Sequence, residues 1–261
     1  MEQRFVTSDD GTRVPYWLVG RPEQLSGALG VQPTLLWGYG GFEIPILSAY
    51  NPVIGAAWLA RGGVYVAACI RGGGEYGPAW HNSALRENRH RCYEDFTAIA
   101  RQLVADGITD RAHLGTQGRS NGGLLMGMMY TRYPELFGAI VCGVPLLDMK
   151  RYSHLLAGAS WMAEFGDPDV PSDWEFIRKF SPYHLYDATH TDYPPILIWT
   201  STKDDRVHPG HARKMTALLE ATAKDVTYFE TLEGGHAGSA TSTQTAQAFA
   251  NQFGFLWQHL S

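Results

Sequence analysis

The sequence predicts an α/β fold, with a mostly parallel sheet covered by helices on both faces. Three observations carry this. Short runs rich in β-branched and aromatic residues recur along the chain, segments with helical spacing separate them, and a Gly-x-Ser-x-Gly turn stands where one run gives way to a helix. Parallel neighbours need crossover connections, and the helical segments are long enough to supply them. With 261 residues, 44% hydrophobic and 18% charged, the chain suits one globular domain over residues 1–261 and is too apolar for disorder.

Residues 5–8 and 12–19 are β-prone and flank Asp9-Asp10-Gly11, a turn signal, so the chain opens with an N-terminal β-hairpin. Strands follow at 34–37, 64–70, 113–117, 139–143, 196–201 and 226–231. Helical spacing marks 93–105, 122–132 and 209–223. The last segment, 241–259, repeats Ala246, Phe249, Phe253, Leu256 and Trp257 on one helical face and should close the sheet. Residues 143–195 break the alternation with Pro145, Pro168, Pro171, Pro182, Pro194 and Pro195 among aromatic stretches. They read as an irregular excursion over the sheet edge that forms part of a substrate pocket, since binding groups concentrate on loops held by a rigid scaffold.

Composition excludes several functions. Lys and Arg number 21 against 26 Asp and Glu, a net charge of −5 with no basic block, so neither nucleic acid nor an anionic membrane is an expected partner. Cys69, Cys92 and Cys142 are scattered and form no Cys-x-x-Cys pair, which argues against a disulfide framework or a zinc site and for a reducing compartment. Met1 to Phe5 lack the apolar core of a signal peptide, and the longest apolar stretch, 54–70, is interrupted by Arg61. A cytoplasmic protein is the expectation.

The chemistry centres on Gly118-Arg119-Ser120-Asn121-Gly122. A strand turning sharply into a helix leaves no room for side chains beside the turn, so glycines flank a serine whose Oγ is exposed. The helix that follows offers its first amides and its positive dipole end to a developing negative charge. A serine needs a base, and the base needs a carboxylate to orient it. Both follow in the order Ser, Asp, His: Asp204 or Asp205 after the 196–201 strand, then His236 in a glycine-rich loop after the last strand. Other histidines, among them His81, His113 and His184, read as surface or locally hydrogen-bonded groups. His208 and His211 lie three apart but have no third ligand near them in sequence, so no metal is assigned. One oxyanion donor is the Asn121 backbone N–H. The second comes from Gly38-Tyr39-Gly40-Gly41-Phe42, either as a backbone amide or as the Tyr39 hydroxyl.

Taken together, Tyr39-Gly40-Gly41-Phe42, Arg71-Gly72-Gly73-Gly74-Glu75-Tyr76-Gly77 with Trp80-His81, Gly118 to Gly123, Asp204-Asp205-Arg206-Val207 and Gly235-His236 resemble the catalytic domain of the prolyl oligopeptidase family of serine peptidases. The resemblance runs from about Thr7 to the end of the chain. It implies an α/β-hydrolase fold, a Ser120–Asp204–His236 triad, the Tyr39 hydroxyl as second oxyanion donor, and no cofactor. It also implies that Arg206 binds a substrate carbonyl, and that Phe42, Leu146, Trp161, Phe165 and Val207 line a pocket in which the Trp161 indole stacks on a proline-like ring. The expected reaction is acyl transfer to water on short peptides or small esters. Family peptidases carry an N-terminal β-propeller over the active site, and only about thirty residues precede the first sheet motif here. A carboxylesterase is therefore the alternative, as is a catalytic subunit that docks a separate gate. The face that a propeller would cover is expected to be covered by another subunit, as in a homo-oligomer.

Overall fold

The computed structural model describes residues 1–261. Its strands are β1 (Glu2–Thr7), β2 (Arg13–Val19), β3 (Thr34–Gly38), β4 (Val64–Ala68), β5 (Leu114–Arg119), β6 (Ala139–Gly143), β7 (Ile196–Ser201) and β8 (Val226–Thr231). They form one sheet in the order β1-β2-β4-β3-β5-β6-β7-β8. The opening hairpin pairs Phe5 with Pro15, and Gly11 takes φ +86° in its turn, a conformation open to glycine at no steric cost. β2 meets β4 antiparallel, and every pairing from β4 to β8 is parallel. β3 has β4 on one side and β5 on the other, so the strand order reverses there and opens a crevice at the carboxyl ends of β3 and β5.

Alternation of side chains gives each face its own core. Leu36, Val66, Ile140 and Ile198 point to the layer made by helices His90–Ala105, Asn121–Arg132 and Gly210–Ala221, which contribute Phe96, Leu124 and Met215. Leu35, Val141, Leu197 and Trp199 point the other way, onto helices Pro52–Ala57 and Ser242–Leu260 through Ile54, Phe253 and Leu256. The closing helix docks as its periodicity predicts. Its Trp257 ring lies 4.4 Å from that of Trp58, and the Trp257 indole N–H donates to the Ala57 carbonyl at 2.9 Å. No helix is long and apolar enough to cross a membrane.

Strands β6, β7 and β8 keep their predicted bounds and the other five shift, β4 and β5 for a visible local reason. His113 belongs to a short helical turn, because the Asp110 carboxylate accepts its backbone N–H at 3.0 Å. β4 stops at Ala68, and Gly72, at φ +91°, then bends the chain away from the sheet. Between β6 and β7 the chain is more helical than its prolines suggest. Pro171 and Pro182 open the helices Pro171–Ile177 and Pro182–Leu185, where a missing N–H costs nothing. Tyr152, Phe165, Ile177 and Phe180 bury this segment in the larger core.

Arg71 of the glycine-rich motif has a structural duty. Its guanidinium binds the fully buried Asp95 of helix His90–Ala105 at 2.6 Å and also reaches Asp10, so it fastens the hairpin to the helical layer. Removing one member of such a buried pair costs about 3–5 kcal/mol, because the other charge is left without a partner.

Candidate active site

Ser120 sits at φ 60°, ψ −120°, backbone values that a non-glycine residue adopts only under constraint. Such strain costs on the order of 1–3 kcal/mol and persists only where neighbours hold it. Here the Ser120 N–H donates to the Gly143 carbonyl at 2.9 Å, and its own carbonyl accepts from Gly123 and Leu124 at 2.8 and 3.1 Å. The flanking glycines are required sterically. A Cβ on Gly118 would stand 2.3 Å from the Gly122 carbonyl oxygen, and one on Gly123 would stand 2.7 Å from that of Gly143.

The loops after β7 and β8 bring an acid and a base together. His236 Nδ1 lies 2.8 Å from Asp204 Oδ2 and 3.0 Å from Oδ1. The Asp204 side chain is shut off from solvent, and its Oδ1 also accepts the backbone N–H groups of Arg206 and Val207, both at 2.9 Å. Its neighbour Asp205 does something else, accepting the His236 backbone N–H at 3.3 Å. The two acids left open by the sequence thus divide the work: one holds the ring and the other holds the main chain. Arg119, the residue before Ser120, donates to the His236 carbonyl at 2.6 Å and so joins the histidine loop to the serine turn. With Nδ1 occupied by Asp204, Nε2 is the ring nitrogen outside that pair.

Tyr39 follows β3 beside this turn. Burial raises the pKa of its phenol, and the adjacent Ser120 side chain acts in the opposite direction. Asn121 begins helix Asn121–Arg132, where first-turn N–H groups lack helical acceptors. The residues expected to line a pocket differ in burial. Leu146, Phe165 and Val207 are buried, while Phe42 and Trp161 are partly covered. Phe42 and Phe165 pack edge to face with centroids 5.6 Å apart. Arg206 is exposed.

Other positions depart from expectation. The sequence marks His81 as a surface or locally bonded group, yet its Nε2 lies 2.8 Å from Glu164, 83 residues away in sequence. Glu164 in turn meets the buried Arg89 at 2.7 Å. Glu164 did not stand out in the sequence, although it is the one acid among the residues from Trp161 to Phe165. His211 is buried with its Nδ1 accepting the backbone N–H of the distant Asp148 at 3.1 Å, whereas His208 Nδ1 accepts that of its near neighbour Gly210 at 3.0 Å. A cavity of about 600 Å³ lies on the opposite face of the sheet, between Trp37, Tyr65 and Trp199 and the closing helix. Gly118, Arg119 and Ala237 line it, which places it behind the serine turn and not among the predicted pocket residues.

Comparison with known proteins places the chain in a family. A model described as the prolyl oligopeptidase family matches residues 54–261. An uncharacterized peptidase of Sinorhizobium fredii is 48% identical over 99% of this chain and 35% of its own length. A prolyl endopeptidase of Elizabethkingia meningoseptica is 37% identical over 94% of this chain and 35% of its own. The structure of a post-proline cleaving enzyme from Rickettsia typhi superposes with a TM-score of 0.95 at 39% identity, over 99% of this chain and 37% of that one. The chain thus spans about a third of the length of the relatives it matches. The parallel sheet and its serine turn are those of an α/β-hydrolase, and the chain belongs to the prolyl oligopeptidase family of serine peptidases.

Proposed function

We propose that this domain hydrolyses short peptides, with a proline-like residue before the scissile bond, through a Ser120–Asp204–His236 triad. The observation that carries the reading is the Asp204–His236 pair, set beside a serine held at φ 60° on a strand-to-helix turn. His236 Nε2 takes the Ser120 proton as Oγ attacks the substrate carbonyl. The resulting oxyanion receives the Asn121 backbone N–H and the Tyr39 hydroxyl, and Asp204 stabilises the imidazolium. Collapse of the intermediate breaks the scissile bond, and His236 gives the proton to the leaving amine. Water then attacks the acyl-enzyme, losing a proton to His236, and Ser120 leaves with that proton restored. Phe42, Trp161, Phe165, Leu146 and Val207 form the apolar site for the proline-like ring, and Arg206 binds the carbonyl upstream of it.

Parallel assays with a prolyl arylamide and a short acyl aryl ester test this reading, with a fluorophosphonate probe reporting on Ser120. Wild type should label and cleave both substrates. Ser120→Ala should lose labelling and several orders of magnitude in kcat, leaving only binding and oxyanion effects. Turnover of esters alone would make the domain a carboxylesterase of peptidase ancestry. Near-normal turnover by Ser120→Ala would remove the triad.

The exposed Ile44, Leu47 and Tyr50, in the loop that follows Phe42, favour a second reading in which a further domain or a second copy docks near the site and gates it. A monomer by light scattering would rule out the second copy.

A further inference from the structure

Three separate segments converge on one carboxylate in the pocket wall. Glu164, 5% exposed, precedes the pocket residue Phe165 in the short helix Met162–Phe165. Its Oε1 accepts the Phe42 backbone N–H at 3.0 Å and an Arg89 N–H at 2.7 Å, and its Oε2 lies 2.8 Å from His81 Nε2. Arg89, 1% exposed, gives its other terminal nitrogen to Asn121 Oδ1, and Asn121 Nδ2 donates to the Tyr39 carbonyl at 2.6 Å. An unbroken line of hydrogen bonds thus runs from the pocket wall to the backbone of Tyr39, and a second branch grips the same loop at Phe42. The loop needs the grip, because Phe42 and Glu43 take φ 56° and 55°, left-handed values that non-glycine residues avoid. The carboxylate charge matters as well as its shape, since Arg89 is buried and needs an anion.

We propose that Glu164 is a positioning residue for the oxyanion hole: through Phe42 directly, and through Arg89 and Asn121, it sets the Tyr39 loop so that the Tyr39 hydroxyl stands beside Ser120. The proposal rests on the hydrolase reading of Ser120. Glu164 shares its helix with Phe165, which packs against Phe42 with centroids 5.6 Å apart and lies 5.0 Å from the Arg89 guanidinium. The wall that recognises the substrate and the donor that stabilises its oxyanion therefore have a common support.

A double-mutant cycle tests this, with fluorophosphonate labelling and aryl-ester turnover as readouts. In the Tyr39 background, Glu164→Gln should slow labelling and lower kcat by about tenfold or more, with KM changed less than about threefold. In the Tyr39→Phe background the same substitution should cost less than about twofold, because no hydroxyl remains to be placed. Equal losses in both backgrounds, or no loss in either, overturn the proposal. If Glu164→Gln does not melt cooperatively, Asn121→Ala carries the same cycle, since it removes the tie to the Tyr39 carbonyl and keeps the backbone N–H. An undiminished Asn121→Ala loss in Tyr39→Phe would be equally fatal. An unlabelled wild type would overturn the hydrolase reading and this inference with it, whereas a labelled wild type with additive losses overturns this inference alone.

Discussion

Tyr39 has two possible services to offer an oxyanion, a phenol and a backbone amide, and its surroundings favour the phenol. The phenol is protonated at neutral pH in any setting, and its hydroxyl lies within hydrogen-bonding reach of the Ser120 side chain. Tyr39→Phe should therefore lower kcat by about 10²-fold with little change in KM, the usual loss for one oxyanion donor. Steady-state kinetics on an aryl ester checks this, and an unchanged kcat would return the role to a loop amide. The candidate triad was legible at this scale because chain order, flanking glycines and strand ends constrain it locally. The Arg89–Glu164 pair was not, since its members lie 75 residues apart and no local pattern marks a charge whose partner comes from another loop. The same holds for the Asn121 side chain. Its backbone N–H follows from the turn, but its bond to the Tyr39 carbonyl depends on how β3 and β5 sit side by side.

Among the elements, helix Gly210–Ala221 carries a pH dependence. Burial takes the pKa of His211 down to about 4, and the neutral ring accepts the Asp148 N–H in the loop that contains Leu146. The unfolded chain binds that proton near pH 6.5, so between about 6.5 and 4 the unfolded state holds more protons than the folded one. Stability is then fully present above pH 6.5 and is lost as pH falls toward 4, by up to about 3 kcal/mol from this group. Thermal melts across that range should show a shallower decline for His211→Gln, whose amide oxygen can still accept the N–H. Equal slopes would remove His211 as the cause. The long helices and parallel strands were readable because their periodicity repeats over several turns or alternations. The helices Pro52–Ala57, Pro78–Asn82 and Pro171–Ile177 were not, because each is a turn or two long and its opening proline reads equally well as a loop.

For the molecule as a whole, strand alternation predicts a parallel sheet but not its order, which depends on where each crossover lands. The cavity behind the serine turn was likewise invisible, because Trp37, Tyr65 and Trp199 come from three strands and look like ordinary core residues. All three cysteines are buried, and burial pushes the Cys69 and Cys92 thiols up to about 12. Iodoacetamide should therefore modify none of them in the native protein, and all three together as denaturant carries the domain through global unfolding. Mass spectrometry of the alkylated chain reads this directly, and early modification of Cys69 alone would reveal local opening of the sheet near β4. The order in which the sheet supplies its site also bears on synthesis. Ser120 leaves the ribosome well before His236, which cannot meet Asp204 until β8 has joined β7. A nascent chain of this domain thus presents Ser120 before the Asp204–His236 pair exists, and in the proposed mechanism hydrolysis waits for the last strand.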